Sequence, residues 1–77
     1  MTILLINYPE LKSYIDNLWL DNIWVIDTTF EDADNNIDIY NPDYIIASNR
    51  DDAKDLDGFW HEDIEILKEI IDGITNN

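Results

Sequence analysis

The pattern of apolar and polar positions predicts short elements that alternate between strand and helix. An apolar run at residues 3–6 predicts a buried strand that ends at the turn Asn7-Tyr8-Pro9. Residues 23–30 are rich in β-branched and aromatic side chains and predict a second strand. Between these strands, apolar residues follow Pro9 at the spacing of an amphipathic helix: Leu11, Tyr14, Ile15 and Leu18.

The middle of the chain has two interpretations. Residues 31–36 form a polar connection, residues 37–40 alternate apolar and polar side chains, and Asn41-Pro42-Asp43 has the composition of a turn before the apolar residues 44–47. This pattern predicts an antiparallel hairpin. In the alternative, residues 31–41 are a linker or short helix and residues 44–47 are a parallel strand.

The last third of the chain predicts a second amphipathic helix after a polar run from Ser48 to Asp57. Its apolar residues recur at steps of 4, 3, 4 and 3, at Trp60, Ile64, Leu67, Ile71 and Ile74. We therefore expect one α+β domain over residues 1–77, with a small three- to four-stranded, mainly antiparallel sheet. The two amphipathic helices are expected to pack on one face, which leaves the other face partly open.

The composition of the chain limits the classes of protein to which it can belong. The chain has 77 residues and 45% apolar residues, which suit a single compact domain, and it has no cysteine for a disulfide or a thiolate metal site. No apolar stretch is long enough to span a bilayer. The first residues lack the basic region and the cleavage site of a secretory signal, so we expect a cytoplasmic protein.

The charge is large and unevenly distributed. The formal net charge is −14, of which residues 27–77 carry −12. Such a surface is repelled by nucleic acid and by anionic membranes, which leaves a basic protein as the expected partner. Either a monomer or a homodimer is compatible with this composition.

Catalytic and metal-binding motifs are not apparent. His61 is the only histidine, and neither a nucleophile elbow nor a glycine-rich phosphate loop is present. Acidic or amide residues at alternate positions from Asp32 to Asp38 resemble the start of a calcium loop, but Ile37 occupies the position of the required glycine. We therefore expect no enzyme activity, no cofactor and no specific metal site.

The carboxylates themselves are the candidate site. Residues three or four apart on a helix place their Cβ atoms about 5–6 Å apart, which approaches the spacing of successive phosphates on a nucleic-acid strand. One expected row on the last helix comprises Glu62, Glu65, Glu69 and Asp72, and Asp51, Asp52, Asp55 and Asp57 extend it through the preceding loop. A second cluster comprises Glu31, Asp32, Asp34 and Asp38, and the expected aromatic anchors are Trp24, Tyr40 and Tyr44.

A solvated amphipathic surface is the simplest alternative explanation for these carboxylates. However, solubility requires a net charge of only about 2 to 8 in magnitude for a small domain. The excess charge lowers stability through self-repulsion, which favours a use for the electrostatic field.

In size, charge and element order, this chain resembles the small acidic phage proteins that mimic DNA, in particular anti-CRISPR and anti-restriction inhibitors. The run of helix, three strands and helix from Pro9 to Ile74 carries the resemblance, and no diagnostic motif is shared. The resemblance implies a non-enzymatic inhibitor that blocks the basic DNA- or RNA-binding groove of a host defence nuclease. The alternatives are an immunity protein or antitoxin that neutralises a cognate basic toxin, and an acidic adaptor with a basic partner.

Overall fold

The structure is a computed structural model that describes residues 1–75. Three strands form one sheet in the order β2-β1-β3, and both strand pairs are parallel. In chain order, the elements are β1 (Thr2–Ile6), α1 (Pro9–Asp16), β2 (Trp24–Thr28), α2 (Ala33–Tyr40), β3 (Tyr44–Ala47), α3 (Arg50–Asp55) and α4 (Ile64–Thr75). The predicted mainly antiparallel sheet is therefore wrong.

The central strand β1 explains why the sheet is parallel. Its residues from Ile3 to Ile6 are all completely buried, so both of its faces require a cover of helices. A continuous apolar run is typical of a parallel strand in this environment, whereas a strand with one solvated face alternates apolar and polar residues. Parallel neighbours in turn need a crossover connection, which α1 supplies before β2 and α2 supplies before β3.

Helices cover both faces of the sheet, which corrects the expectation that they share one face. Ile3 and Leu5 point to one side, where they pack with residues of α1 and α4 such as Leu11 and Leu67. The alternate residues of β1, Leu4 and Ile6, point to the other side, where they pack with Ala33 of α2 and Ala53 of α3. We call these sides the α1–α4 face and the α2–α3 face.

The predicted hairpin is replaced by a helix and a crossover. Residues 37–40 form the end of α2, because Ala33 and Ile37, four residues apart, both pack against the α2–α3 core. Asn41 then ends the helix in the left-handed conformation, at φ 46°. The four residues of the alternating pattern were too few to distinguish the period of a strand from that of a helix. The alternative interpretation, with a short helix and a parallel strand at residues 44–47, describes the structure.

The polar run predicted as a loop after β3 contains helix α3. Asn49 caps it: the Asp52 backbone N–H donates to Asn49 Oδ1 at 2.8 Å, and Asn49 Nδ2 donates to Asp52 Oδ2 at 2.9 Å. The chain then returns alongside β3, where the Phe59 backbone N–H donates to Ile45 O at 2.7 Å. Gly58 permits this close approach, because a Cβ atom there would lie 2.9 Å from the Ile45 carbonyl oxygen.

Helix α4 begins later than its apolar pattern predicts. Trp60 precedes the helix and packs against the α2–α3 core, whereas Ile64, Leu67 and Ile71 pack on the opposite face. Trp60 is thus partly buried against the core, but it is not a member of the helical stripe. The helix begins near Asp63, whose Oδ1 accepts a hydrogen bond from the Glu65 backbone N–H at 3.0 Å.

Candidate functional site

The α2–α3 face carries a group of acidic side chains from both helices and their flanking turns. Apart from Asp52, which is half-buried, all of them are exposed. The group comprises Glu31, Asp32, Asp34, Asp38, Asp51, Asp52, Asp55 and Asp57. The predicted cluster in residues 31–38 therefore shares one face of the sheet with the acidic residues 51–57, which were predicted to extend the row on the last helix.

These carboxylates are not neutralised by the basic residues nearby. Arg50 and Lys54 are exposed on α3, and neither forms an ion pair within residues 1–75. Asp52 hydrogen-bonds Asn49, and Asp32 Oδ2 lies 3.4 Å from Asn36 Nδ2. The carboxylates of the other six residues of the group have no hydrogen bond or ion pair in the described part of the chain.

Local stability explains only part of this arrangement. Asp34 lies in the first turn of α2, and Asp51 and Asp52 lie in the first turn of α3, where negative charge complements the helix dipole. Asp38 and Asp55 lie near the C-terminal ends of the same helices, where negative charge opposes the dipole. Each also follows another aspartate by four residues, which is destabilising by about 0.2–0.5 kcal/mol per pair.

The α1–α4 face is also acidic, but its charges are partly paired. Lys12 Nζ lies 2.6 Å from Asp16 Oδ2, and Lys68 Nζ lies 3.2 Å from Glu65 Oε1. The Tyr14 hydroxyl donates to Asp72 Oδ1 at 2.8 Å, and this hydrogen bond raises the pKa of Tyr14. The acidic residues on and flanking its two helices are Glu10, Asp16, Glu62, Asp63, Glu65, Glu69 and Asp72.

Three members of the row predicted along the last helix, Glu65, Glu69 and Asp72, lie in α4 at the predicted steps, whereas Glu62 precedes the helix. Glu65 and Asp72 have partners, and Glu69 is the unpaired member within the described helix. The predicted continuation through Asp51, Asp52 and Asp55 fails because α3 lies across the sheet from α4. Two acidic faces replace one extended track.

The expected aromatic anchors lie at the amino-terminal end of the sheet. Trp24 and Tyr44 are the first residues of β2 and β3 and have exposed fractions of 58% and 41%. Tyr40, at the end of α2, contacts Trp24 in an edge-to-face arrangement with 5.2 Å between ring centroids. The structure thus brings Trp24 and Tyr40 into contact. Tyr44 lies on β3, which pairs with the opposite edge of β1 from β2.

Several exposed apolar residues at this end were missed from the sequence. Trp19 has an exposed fraction of 87%, and Ile39 one of 62%. Trp19 also adopts a positive φ of 52°, three residues after the end of α1. Apolar periodicity does not encode such a local reversal of the backbone.

The carboxyl-terminal end of the sheet, where open parallel sheets commonly bind ligands, is occupied by internal hydrogen bonds. Asn36 Nδ2 donates to Thr28 Oγ1 at 2.8 Å, and the Asn7 backbone N–H donates to Thr28 O at 2.9 Å. His61 also has a local partner, because its Nδ1 accepts from the Asp63 backbone N–H at 2.9 Å. Residues 1–75 contain no group of three or more side chains placed to hold a metal ion.

The segment that resembles the start of a calcium loop lies mostly within α2, because Asp34 and Asp38 are helical residues. Among the described residues, none of the helices has the length and apolar character needed to cross a membrane.

Comparison of the chain with protein-family models, with curated proteins and with solved structures found no match.

Proposed function

We propose that this protein is a non-enzymatic acidic inhibitor that imitates nucleic-acid phosphates and occupies the basic DNA- or RNA-binding groove of a target protein. The group of unneutralised carboxylates on the α2–α3 face is the observation that carries the proposal. A partner's lysines and arginines would pair with these groups, and the protein's field would accelerate encounter. A host defence nuclease, as in anti-CRISPR or anti-restriction inhibition, is the proposed class of target.

The spacing of the carboxylates supports this proposal. Asp34 and Asp38 on α2, like Asp51 and Asp55 on α3, are four residues apart and place their Cβ atoms about 6 Å apart. The two helices pack over the neighbouring strands β1 and β3. Each helix therefore carries a short row of negative charge, and both helices cover the same face of the sheet.

Neutralisation of a cognate basic toxin is the second candidate. Its specific support is the exposed aromatic end, because Trp and Tyr anchors dominate the affinity of tight protein pairs while charges accelerate their encounter. A toxin does not need to bind nucleic acid through the surface that its immunity protein covers. Competition with nucleic acid therefore separates the two proposals.

The test begins with the full chain immobilised and a partner captured from a bacterial lysate. Duplex DNA, single-stranded DNA and RNA are then added at increasing concentration at physiological salt, with uncharged polymer as the control. We expect at least one nucleic acid to displace the partner competitively. If an excess of all three leaves the partner bound, the groove proposal fails and the toxin or adaptor alternatives gain support.

A further inference from the structure

A groove lies between the end of α1 and the start of β2, on the α1–α4 side of the sheet beside the edge strand β2. Its volume is about 370 Å³. The indoles of Trp19 and Trp24 line it together with the carboxylates of Asp16 and Asp21, and aliphatic side chains that include Ile15 and Val25 complete the lining. Two aromatic rings and two carboxylates therefore share one small concave surface.

Trp19 combines a positive φ in a hydrogen-bonded turn with a highly exposed side chain. Its φ of 52° is unusual for a bulky residue, and its exposed fraction is 87%. The turn after α1 that leads into it includes a hydrogen bond from the Leu18 backbone N–H to Ile15 O at 3.0 Å. Disfavoured backbone conformations that persist in folded proteins cluster at functional sites. An exposed indole in this position is well placed to meet a partner.

Charge identifies the occupant of the groove. A second copy of the chain also carries −14 and is repelled. A purely apolar segment would leave Asp16 and Asp21 without partners on burial, which is costly. Asp16 already accepts a hydrogen bond from Lys12 through Oδ2, whereas Asp21 has no hydrogen bond within residues 1–75. The occupant therefore needs positive charge to pair with the carboxylates and a planar, weakly hydrated surface to contact the indoles.

We propose that this groove receives an arginine side chain of the partner. The guanidinium stacks against the Trp19 indole and donates hydrogen bonds to the Asp21 carboxylate. Arginine suits the site better than lysine because its planar group stacks on aromatic rings and donates two parallel hydrogen bonds to a carboxylate. The inference deepens the proposed function and rests on it for one point, that the partner surface is basic.

The three tryptophans allow a direct test by NMR without the partner. The ¹⁵N-labelled full chain is titrated with the peptide acetyl-Gly-Arg-Gly-amide, and the indole N–H signals are followed. We expect saturable shifts at millimolar peptide for Trp19 and Trp24. Trp60 packs against the α2–α3 core and serves as the internal control, so its signal should remain unchanged.

Matched peptides and a variant decide what the groove recognises. The same peptide with norleucine or lysine in place of arginine should produce a response at least about threefold weaker. Norleucine lacks the positive charge, and lysine lacks the planar group that stacks on an indole. Asp21→Asn should weaken arginine binding by about threefold or more while preserving fold. Equal responses to the three peptides, or no shift of Trp19 and Trp24, would overturn the assignment.

The captured partner supplies the second measurement. Trp19→Ala should lower its affinity by about tenfold or more, as expected for a central aromatic anchor. Phe59→Ala is the matched control because Phe59 is exposed at the opposite edge of the sheet. If nucleic acid fails to displace the partner while the indoles respond to arginine, the inhibitor proposal falls and the groove remains. If nucleic acid competes but the indoles do not respond, only the groove proposal fails.

Discussion

The two faces of the sheet differ in the size of the side chains that their helices bury. On the α1–α4 face, large aliphatic side chains from both helices, such as Leu11, Leu67 and Ile71, are buried against the sheet. On the α2–α3 face, the fully covered helix residues are Ala33 and Ala53. Both of the ion pairs in residues 1–75 also lie on the α1–α4 face.

The face that buries the larger apolar side chains is therefore not the face that exposes the unpaired carboxylates. A helix that contributes a leucine to the core removes more apolar surface from water than a helix that contributes an alanine methyl group. The α1–α4 face can therefore supply most of the stability. The α2–α3 face retains short helices with carboxylates that lower stability, which is the pattern expected where the charges serve a partner.

The largest expected effect comes from truncation of the α1–α4 core. Leu67 is completely buried, so Leu67→Ala should lower the free energy of unfolding by about 2–5 kcal/mol. The corresponding change in the other core, Ala53→Gly, should cost about 1 kcal/mol through the helix propensity of α3. Urea unfolding followed by circular dichroism measures both. Equal losses would contradict the proposed division between the faces.

A smaller effect should follow from removal of equal charge from each face. The triple variant Asp34→Asn, Asp38→Asn, Asp55→Asn should slow association with the captured partner by about tenfold at low salt, because it removes carboxylates from the contact surface. The matched triple Glu10→Gln, Glu62→Gln, Glu69→Gln changes the net charge by the same amount. We expect it to slow association by less than about threefold.

Surface plasmon resonance over a series of salt concentrations measures these rates. All six side chains are exposed and have no hydrogen bond or ion pair in the described part of the chain, so both variants should retain the fold. Circular dichroism is the check. If the two triples slow association equally, the field of the whole molecule is sufficient and the α2–α3 face has no special role.

The strands of this fold were more predictable than their arrangement. The apolar run at residues 3–6 predicted β1, and the β-branched segment that includes residues 24–28 predicted β2. The unbroken apolar sequence of β1 indicates burial of both its faces and therefore favours parallel pairing. The alternating residues 37–40 favour a hairpin instead, and this local pattern conflicts with the signal from β1.

The acidic residues were identifiable from the sequence, but their grouping was not. Chain proximity joined Asp51 and Asp55 to the row on the last helix, whereas the crossover at Phe59 places α3 and α4 on opposite faces. Predicting this separation requires the strand order. Trp19 is exposed in the turn after α1, where it has a positive φ that no periodic pattern of apolar residues predicts.

The smallest expected effect concerns the hydrogen bond that links α1 to α4. The Tyr14 hydroxyl donates to Asp72, and this bond raises the Tyr14 pKa above its ordinary value of 10.0. The folded state therefore retains the proton more strongly than the unfolded state. Its contribution to stability is complete below pH 10 and is lost as the pH rises through the elevated pKa.

Urea midpoints measured between about pH 8 and pH 11 should thus fall with rising pH, and the fall should be smaller for Tyr14→Phe. A residual decrease should persist because burial also raises the pKa of Tyr8. Asp72→Asn keeps a hydrogen-bond acceptor but removes the charge, so it should show an intermediate pH dependence. An identical decline in the wild-type chain and Tyr14→Phe would mean that the link between α1 and α4 contributes nothing to stability.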